Sequence, residues 1–250
     1  SILAYGVVIN EIKIVKEILN LYEKQKSNLL AWRFPKEGAI EAGFTGRSTC
    51  LQGAMCFSSP EIVVTLLDAG ANREAVDIIG NDSLMAACAL GRLDNVKTWC
   101  ETTNWDINRQ NIQFGATALN IAVHFGPRKL DLVRYLVEKR KANPYIYNTS
   151  GNSCFHLACD NSDADPKVIQ YLFQNAHFDV NMKIRARSIK MKFLRIICVL
   201  ATKAKFKRSK LYAYVAKYSG ATSLHLAAQR GDLEIVELLM ECGAHPFIKN

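Results

Sequence analysis

One phrase recurs along this chain, and its spacing limits what the chain can fold into. Its versions are Thr49-Cys50-Leu51-Gln52-Gly53-Ala54, Asp82-Ser83-Leu84-Met85-Ala86-Ala87 and Thr117-Ala118-Leu119-Asn120-Ile121-Ala122. Ser153-Cys154-Phe155-His156-Leu157-Ala158 and Thr222-Ser223-Leu224-His225-Leu226-Ala227 follow. Successive starts lie 33, 35, 36 and 69 residues apart, the last gap being about two periods. A glycine stands two residues before four of the copies, at Gly80, Gly115, Gly151 and Gly220. In the first copy it comes one place early, at Gly46. Self-similarity at this period signals a stack of small supersecondary units.

A second phrase follows each copy at a similar distance. It reads Val63-Val64-Thr65-Leu66-Leu67, Asn95-Val96-Lys97-Thr98-Trp99, Leu132-Val133-Arg134-Tyr135-Leu136, Val168-Ile169-Gln170-Tyr171-Leu172 and Ile235-Val236-Glu237-Leu238-Leu239. Apolar residues at i, i+1, i+3 and i+4 mark one face of a short helix. Gly70 and Gly243 close two of these helices, because glycine takes the left-handed cap without strain. Thr, Ser or Asp at the start of the first phrase suits a helix N-cap, where a side-chain oxygen takes an orphan backbone N–H. The Leu or Phe two residues on and the Ala five on are expected to face the stack.

Each unit is therefore predicted to be helix, turn, helix and an irregular finger. Such a unit cannot bury its apolar face alone, so the units stack. The expected fold class is an all-α repeat solenoid of stacked helix-turn-helix units with hairpin-like fingers. Residues 1–19, with Ile14-Val15-Lys16-Glu17-Ile18, read as a weaker sixth copy.

The pattern resembles the ankyrin repeat, whose signature is G-x-T-P-L-H-x-A-A. The match is nearest in Gly220-Ala221-Thr222-Ser223-Leu224-His225-Leu226-Ala227-Ala228 with Gly231-Asp232-Leu233-Glu234-Ile235-Val236. Gly243-Ala244-His245-Pro246 and Gly70-Ala71-Asn72 resemble the family's G-A-D-P finger start. None of the five copies carries the signature Pro, and two keep the His, at His156 and His225. The resemblance covers 1–182 and 220–250. It implies stacked repeats in both stretches, which open inside a repeat and end in a finger.

Charge sets one segment apart. The chain carries +9 formally, but residues 183–219 hold twelve Lys or Arg and no Asp or Glu. The remainder has 20 basic and 23 acidic residues, so the repeats themselves are mildly acidic. Within the segment Ile189, Phe193, Ile196, Ile197 and Leu200 share a helical face, as do Leu211, Tyr214, Val215 and Tyr218. Lys190, Lys192, Arg195 and Lys203 lie off the first stripe. Five readings fit 183–219: a poorly conforming repeat, translated non-coding sequence, a solvated loop, a basic amphipathic helix for an anionic membrane or a calmodulin-like groove, and a nucleic-acid contact. No nucleic-acid motif accompanies the charge.

The chemistry of catalysis is not legible. There is no phosphate loop, no H-E-x-x-H and no G-x-S-x-G elbow. The eight cysteines form no C-x-x-C pair and mostly fall within apolar helical patterns. They read as reduced, hydrophobic residues of a cytoplasmic or nuclear protein. Cys154, His156 and Cys159 lack the second tight pair that a tetrahedral zinc site needs. No signal sequence is visible at Ser1, and no apolar run has the length of a membrane span. The chain is expected to be no enzyme, with no catalytic residue, metal or cofactor.

What the resemblance implies instead is a protein partner bound on a concave surface of fingers and inner helices, by a monomeric solenoid. Carried over by position, the finger candidates are Arg73, Glu74, Arg109, Gln110, Phe114, Tyr145 and Tyr147. The inner-helix candidates are His124, Phe125, Asp160, Asn161, Gln229 and Arg230. An exposed cluster of Phe114, Phe125, Tyr145 and Tyr147 would mark an interaction site. Two alternatives stay open. The repeats would be the regulatory arm of a larger enzyme or channel, or nucleic acid or anionic membrane would bind through 183–219.

Overall fold

The computed structural model describes residues 1–35, 46–125, 129–187, 189, 192–194, 196–197, 218 and 220–249. They fall into two compact units, Ser1–Gln113 and Phe114–Asn250. Among the described residues there are helices and connecting loops and no strand beyond an isolated bridge between Arg33 and Thr49.

Among the described residues the first unit contains three helix pairs. These are α1 (Ile2–Val8) with α2 (Ile12–Leu21), α4 (Cys50–Phe57) with α5 (Pro60–Asp68), and α6 (Ser83–Ala89) with α7 (Leu93–Thr102). Helix α1 packs on α4 and α4 on α6, while α2 packs on α5 and α5 on α7. The weak copy at the N-terminus is thus a helix pair. A 3₁₀ turn (Glu23–Gln25) and α3 (Lys26–Ala31) follow it. The phrase pattern gave no sign of them, because they lie outside the period.

The second unit repeats the arrangement. Helix α8 (Ala118–His124) pairs with α9 (Leu130–Arg134), which continues in π-helical form over Tyr135–Lys139. Helix α10 (Cys154–Cys159) pairs with α11 (Pro166–Ala176), and α12 (Ser223–Arg230) with α13 (Leu233–Glu241). Helix α8 packs on α10 and α9 on α11.

Packing follows the sequence pattern. Leu51, Leu84, Leu119 and Phe155 are buried, as are Ala54, Ala87, Ala122, Ala158 and Ala227. Leu224, the corresponding residue of the last copy, is half-buried. It belongs to a layer with a described neighbour on one side, and Val236 and Leu238 of that layer are also half-buried. The N-caps form as expected. Thr49, Asp82, Thr117 and Ser153 accept from the backbone N–H three residues on, at 3.2, 2.9, 3.2 and 3.3 Å. Gly70 and Gly243 have φ of 90° and 88°.

Buried amides staple successive layers. The Asn95 side chain donates to the carbonyls of Ala54, Met55 and Ser58 at 3.0–3.2 Å, closing the end of α4 from the next layer. Asn161 does the same for Val123 at 3.2 Å.

The 69-residue interval between the fourth and fifth phrases adds no layer between them. Helix α10 packs directly on α12, and α11 on α13. Ile184 donates its N–H to the Ala221 carbonyl at 2.8 Å and accepts from the Gly220 N–H at 3.1 Å. Ile184, Ala221 and Leu226 are buried together, with Tyr218 against them. Ile184 and the Gly220–Ala221 pair, 36 residues apart in the chain, thus meet at one point of the structure. Of the apolar stripe in between, Ile189, Phe193, Ile196 and Ile197 are exposed. Leu200, Leu211, Tyr214 and Val215 lie outside the described residues.

Candidate protein-interaction surface

The fingers are built by one local device. A short polar side chain bends back and accepts the backbone N–H two residues on. Asn72, Asp106, Asn143 and Asp179 do this for Glu74, Asn108, Tyr145 and Asn181, each at 2.9 Å. These four recur with the repeat, but only Asn72 follows the Gly-Ala pair that marks a finger start in the sequence.

In the second unit three fingers are tied in series. The Thr149 N–H and hydroxyl donate to the Phe114 carbonyl at 2.8 and 3.1 Å. The Thr149 carbonyl accepts from the Arg187 N–H at 3.3 Å. A Cβ on Gly151 would lie 1.8 Å from the Arg185 carbonyl oxygen, so the 183–187 segment rests directly on that glycine.

On this frame the sequence candidates separate into groups. Arg73 is exposed in the first unit. Glu74 and Arg109 form an ion pair, and Arg109 lies over the Trp105 ring at 4.8 Å. In the second unit Phe114 is 51% and Phe125 47% exposed. Tyr145 is 48% exposed, yet its hydroxyl donates to the Ala176 carbonyl and its ring meets buried Phe178 at 5.2 Å. Phe178 in turn stacks on Phe155, so Tyr145 serves packing between layers. Tyr147 is half-buried, donates to the Met182 sulfur at 3.2 Å and carries the Arg187 guanidinium 4.0 Å from its ring centre. Phe114 and Tyr147 thus stand on neighbouring fingers. Phe125 sits at the far end of α8, roughly 12 Å along the helix axis from its N-cap, with the His124 ring edge-on at 4.6 Å. The expected four-membered aromatic cluster is a finger pair, a packing residue and a separate site at the helix end.

Gln229 and Arg230 are exposed at the end of α12. Arg230 pairs with Asp160 at 3.4 Å. Asp160 and Asn161, expected on the accessible side, are instead buried. Asp160 takes the Arg230 ion pair and a 3.3 Å hydrogen bond from Tyr218, and the Asn161 amide is spent on Val123.

The seven described cysteines are free, and six are buried. Burial pushes the Cys50 thiol up to about 11 and those of Cys56 and Cys159 to about 12, with Cys154 raised further. At neutral pH they are thiols and poor nucleophiles. Among the described residues no group of His, Cys, Asp or Glu could hold a metal ion, and no helix is long and apolar enough to cross a membrane. His156 is occupied structurally: its Nδ1 accepts from the Ser153 N–H at 3.3 Å, and its Nε2 reaches the Met182 carbonyl at 2.9 Å.

Comparison with known proteins agrees with this architecture. Residues 84–184 match a family model of ankyrin repeats in three copies, and residues 219–250 match the single ankyrin repeat. Together the matches take in just over half of the chain. The chain belongs to the ankyrin repeat family. A solved structure, the ankyrin repeat domain of Bcl-3, described as a unique member of the IkappaB protein family, superimposes with a TM-score of 0.62 at 22% identity. That match covers 100% of this chain and 89% of the other. At such identity it speaks for the fold alone. A search of curated proteins found no match. Ankyrin repeats generally mediate protein–protein interaction, and the fold is typically a non-catalytic module.

Proposed function

We propose that this ankyrin repeat chain binds a partner protein through its fingers and the exposed ends of its inner helices. The observation that carries the reading is the split in solvent exposure. Repeat positions that face the stack are closed, whereas Phe114 and Phe125 hold about half of their surface open to solvent. Aromatic residues give large contact area at low conformational cost, which makes them the usual anchors of an interface. Tyr147, Gln229 and Arg230 of the same unit supply polar contacts, and Arg73 and Arg109 do so separately in the first unit. Tyr145 contributes its exposed edge while its hydroxyl stays tied to Ala176.

Phe125→Ala and Tyr147→Ala test the reading. Each is expected to weaken partner binding at least tenfold with the thermal midpoint nearly unchanged. Undiminished binding in both variants would contradict it, as would an equal loss of helicity in both.

A further inference from the structure

The basic segment is described at its start, and there it forms an ordered row. Lys183, Arg185 and Arg187 are exposed, Ile184 between them is buried and Ala186 is half-buried. This alternation is that of an extended segment, in which every second side chain points the same way. The row is held from both sides, by Ala221 and Gly220 on Ile184 and by Thr149 on Arg187. The three cations line a cleft of about 420 Å³ with Tyr147, Met182 and Asp179. Lys183 donates to the Lys249 carbonyl at 2.8 Å, and Arg187 covers one face of the Tyr147 ring. Among the described residues no acidic side chain forms an ion pair with any of the three. Asp179, on the cleft wall, accepts from the Asn181 N–H and so serves its own turn.

We infer that this row and its cleft receive an extended acidic segment of the partner protein. The inference rests on the partner-binding reading above and names the chemistry of one part of that surface. Alternate residues of an extended chain are about 6.6–6.8 Å apart. A partner strand with carboxylates at every second position therefore matches the row in spacing and in sign. Guanidinium groups take carboxylates with two parallel hydrogen bonds, which fixes register as well as attraction. A cleft of this volume admits a few side chains rather than a duplex. The Tyr147 ring is covered by Arg187 on one face and its hydroxyl is engaged, which makes it a poor stacking platform for bases. Both features favour a peptide over nucleic acid.

The test uses the full chain and a fluorescein-labelled nonapeptide alternating glutamate with valine. A control peptide alternates glutamine with valine. Binding is read by anisotropy at low and at physiological salt. The chain is expected to prefer the glutamate peptide at least tenfold, and the preference should shrink as salt rises. The triple variant K183E/R185E/R187E keeps nine other Lys or Arg of 183–219. It should lose that preference and gain one for a peptide alternating lysine with valine, a rescue that also shows the variant to be folded. Equal affinity for the glutamate and glutamine peptides would overturn the inference, as would a preference that survives the triple substitution. Parallel titrations use single-stranded RNA and phosphatidylserine vesicles. Binding of either through the same three residues, without peptide binding, would overturn it in favour of that ligand. Failure of the peptide with Phe125→Ala still weakening the partner would sink the acidic-segment inference alone.

Discussion

Gln52 and His156 occupy the same position in the first and fourth recurring phrases and make the same two hydrogen bonds. Gln52 accepts from the Thr49 N–H at 2.9 Å and donates to the Asn81 carbonyl of the following finger at 2.8 Å. His156 accepts from the Ser153 N–H at 3.3 Å and reaches the Met182 carbonyl of its following finger at 2.9 Å. The bond to a carbonyl requires the proton on Nε2, and the bond from Ser153 requires Nδ1 to be bare. The neutral tautomer is therefore built into the fold, and an amide does the same work without titrating.

That relationship predicts a difference in acid. Burial holds the His156 pKa below its ordinary value, with the Met182 carbonyl and Asp179 acting weakly the other way. An unfolded histidine takes up its proton near ~6.5. Above that pH the contribution of His156 is complete. Below it the unfolded chain binds a proton that the folded chain resists, so stability falls with pH. His156→Gln is expected to match the wild type within about 1 kcal/mol at pH 7.5, since the net worth of each hydrogen bond is retained. It should lose less between pH 7.5 and pH 5.5. Thermal melts at both pH values check this, and identical pH slopes would refute it.

Two glycines with like backbone angles should respond unequally to alanine. Gly80 has φ of 80° and Gly151 of 85°, so both substitutions carry left-handed strain of about 1 kcal/mol. The added Cβ finds nothing nearer than 3.5 Å at Gly80, whereas at Gly151 it meets the Arg185 carbonyl at 1.8 Å. Gly151→Ala is expected to cost about 1–3 kcal/mol more than Gly80→Ala, the usual penalty for forced backbone shifts. Urea unfolding of the pair reads the difference, and equal midpoints would show that the 183–187 segment does not rest on Gly151.

Leu119 is 1% exposed and lies in the first turn of α8. Leu119→Ala should cost roughly 2–5 kcal/mol as a buried deletion. An unchanged denaturation midpoint would contradict its burial.

The helices were readable because the constraint on them is local and repeated. Thr49, Asp82, Thr117 and Ser153 announce helix starts, and the alanines five residues on must be small wherever two layers meet. The fingers were less readable, because their pattern is carried by single polar residues such as Asp106 and Asn143. Arg47 shows why. It takes φ of 65° at the place where the other four copies have glycine, so glycine spacing alone misplaces the first finger. The surface was least readable. Nothing local separates Tyr145, whose hydroxyl reaches Ala176, from Phe114, or buries Asn161 under Val123; both outcomes depend on the neighbouring layer. The pairing of Ile184 with Gly220 and Ala221 is longer in range still, and the 69-residue gap read as two periods for that reason.

Partners are proposed to meet the fingers and inner-helix ends rather than the outer helices. Site-specific photo-crosslinking in the second unit tests this most directly. A benzophenone side chain is placed at Phe114 and at Phe125, and in separate proteins at Gln170 and at Glu237, which are exposed on α11 and α13. After irradiation in cell extract, Phe114 and Phe125 are predicted to give a shared adduct that Gln170 and Glu237 do not. An adduct formed from Gln170 and Glu237 but not from Phe114 or Phe125 would place the interface on the outer helices and contradict the account.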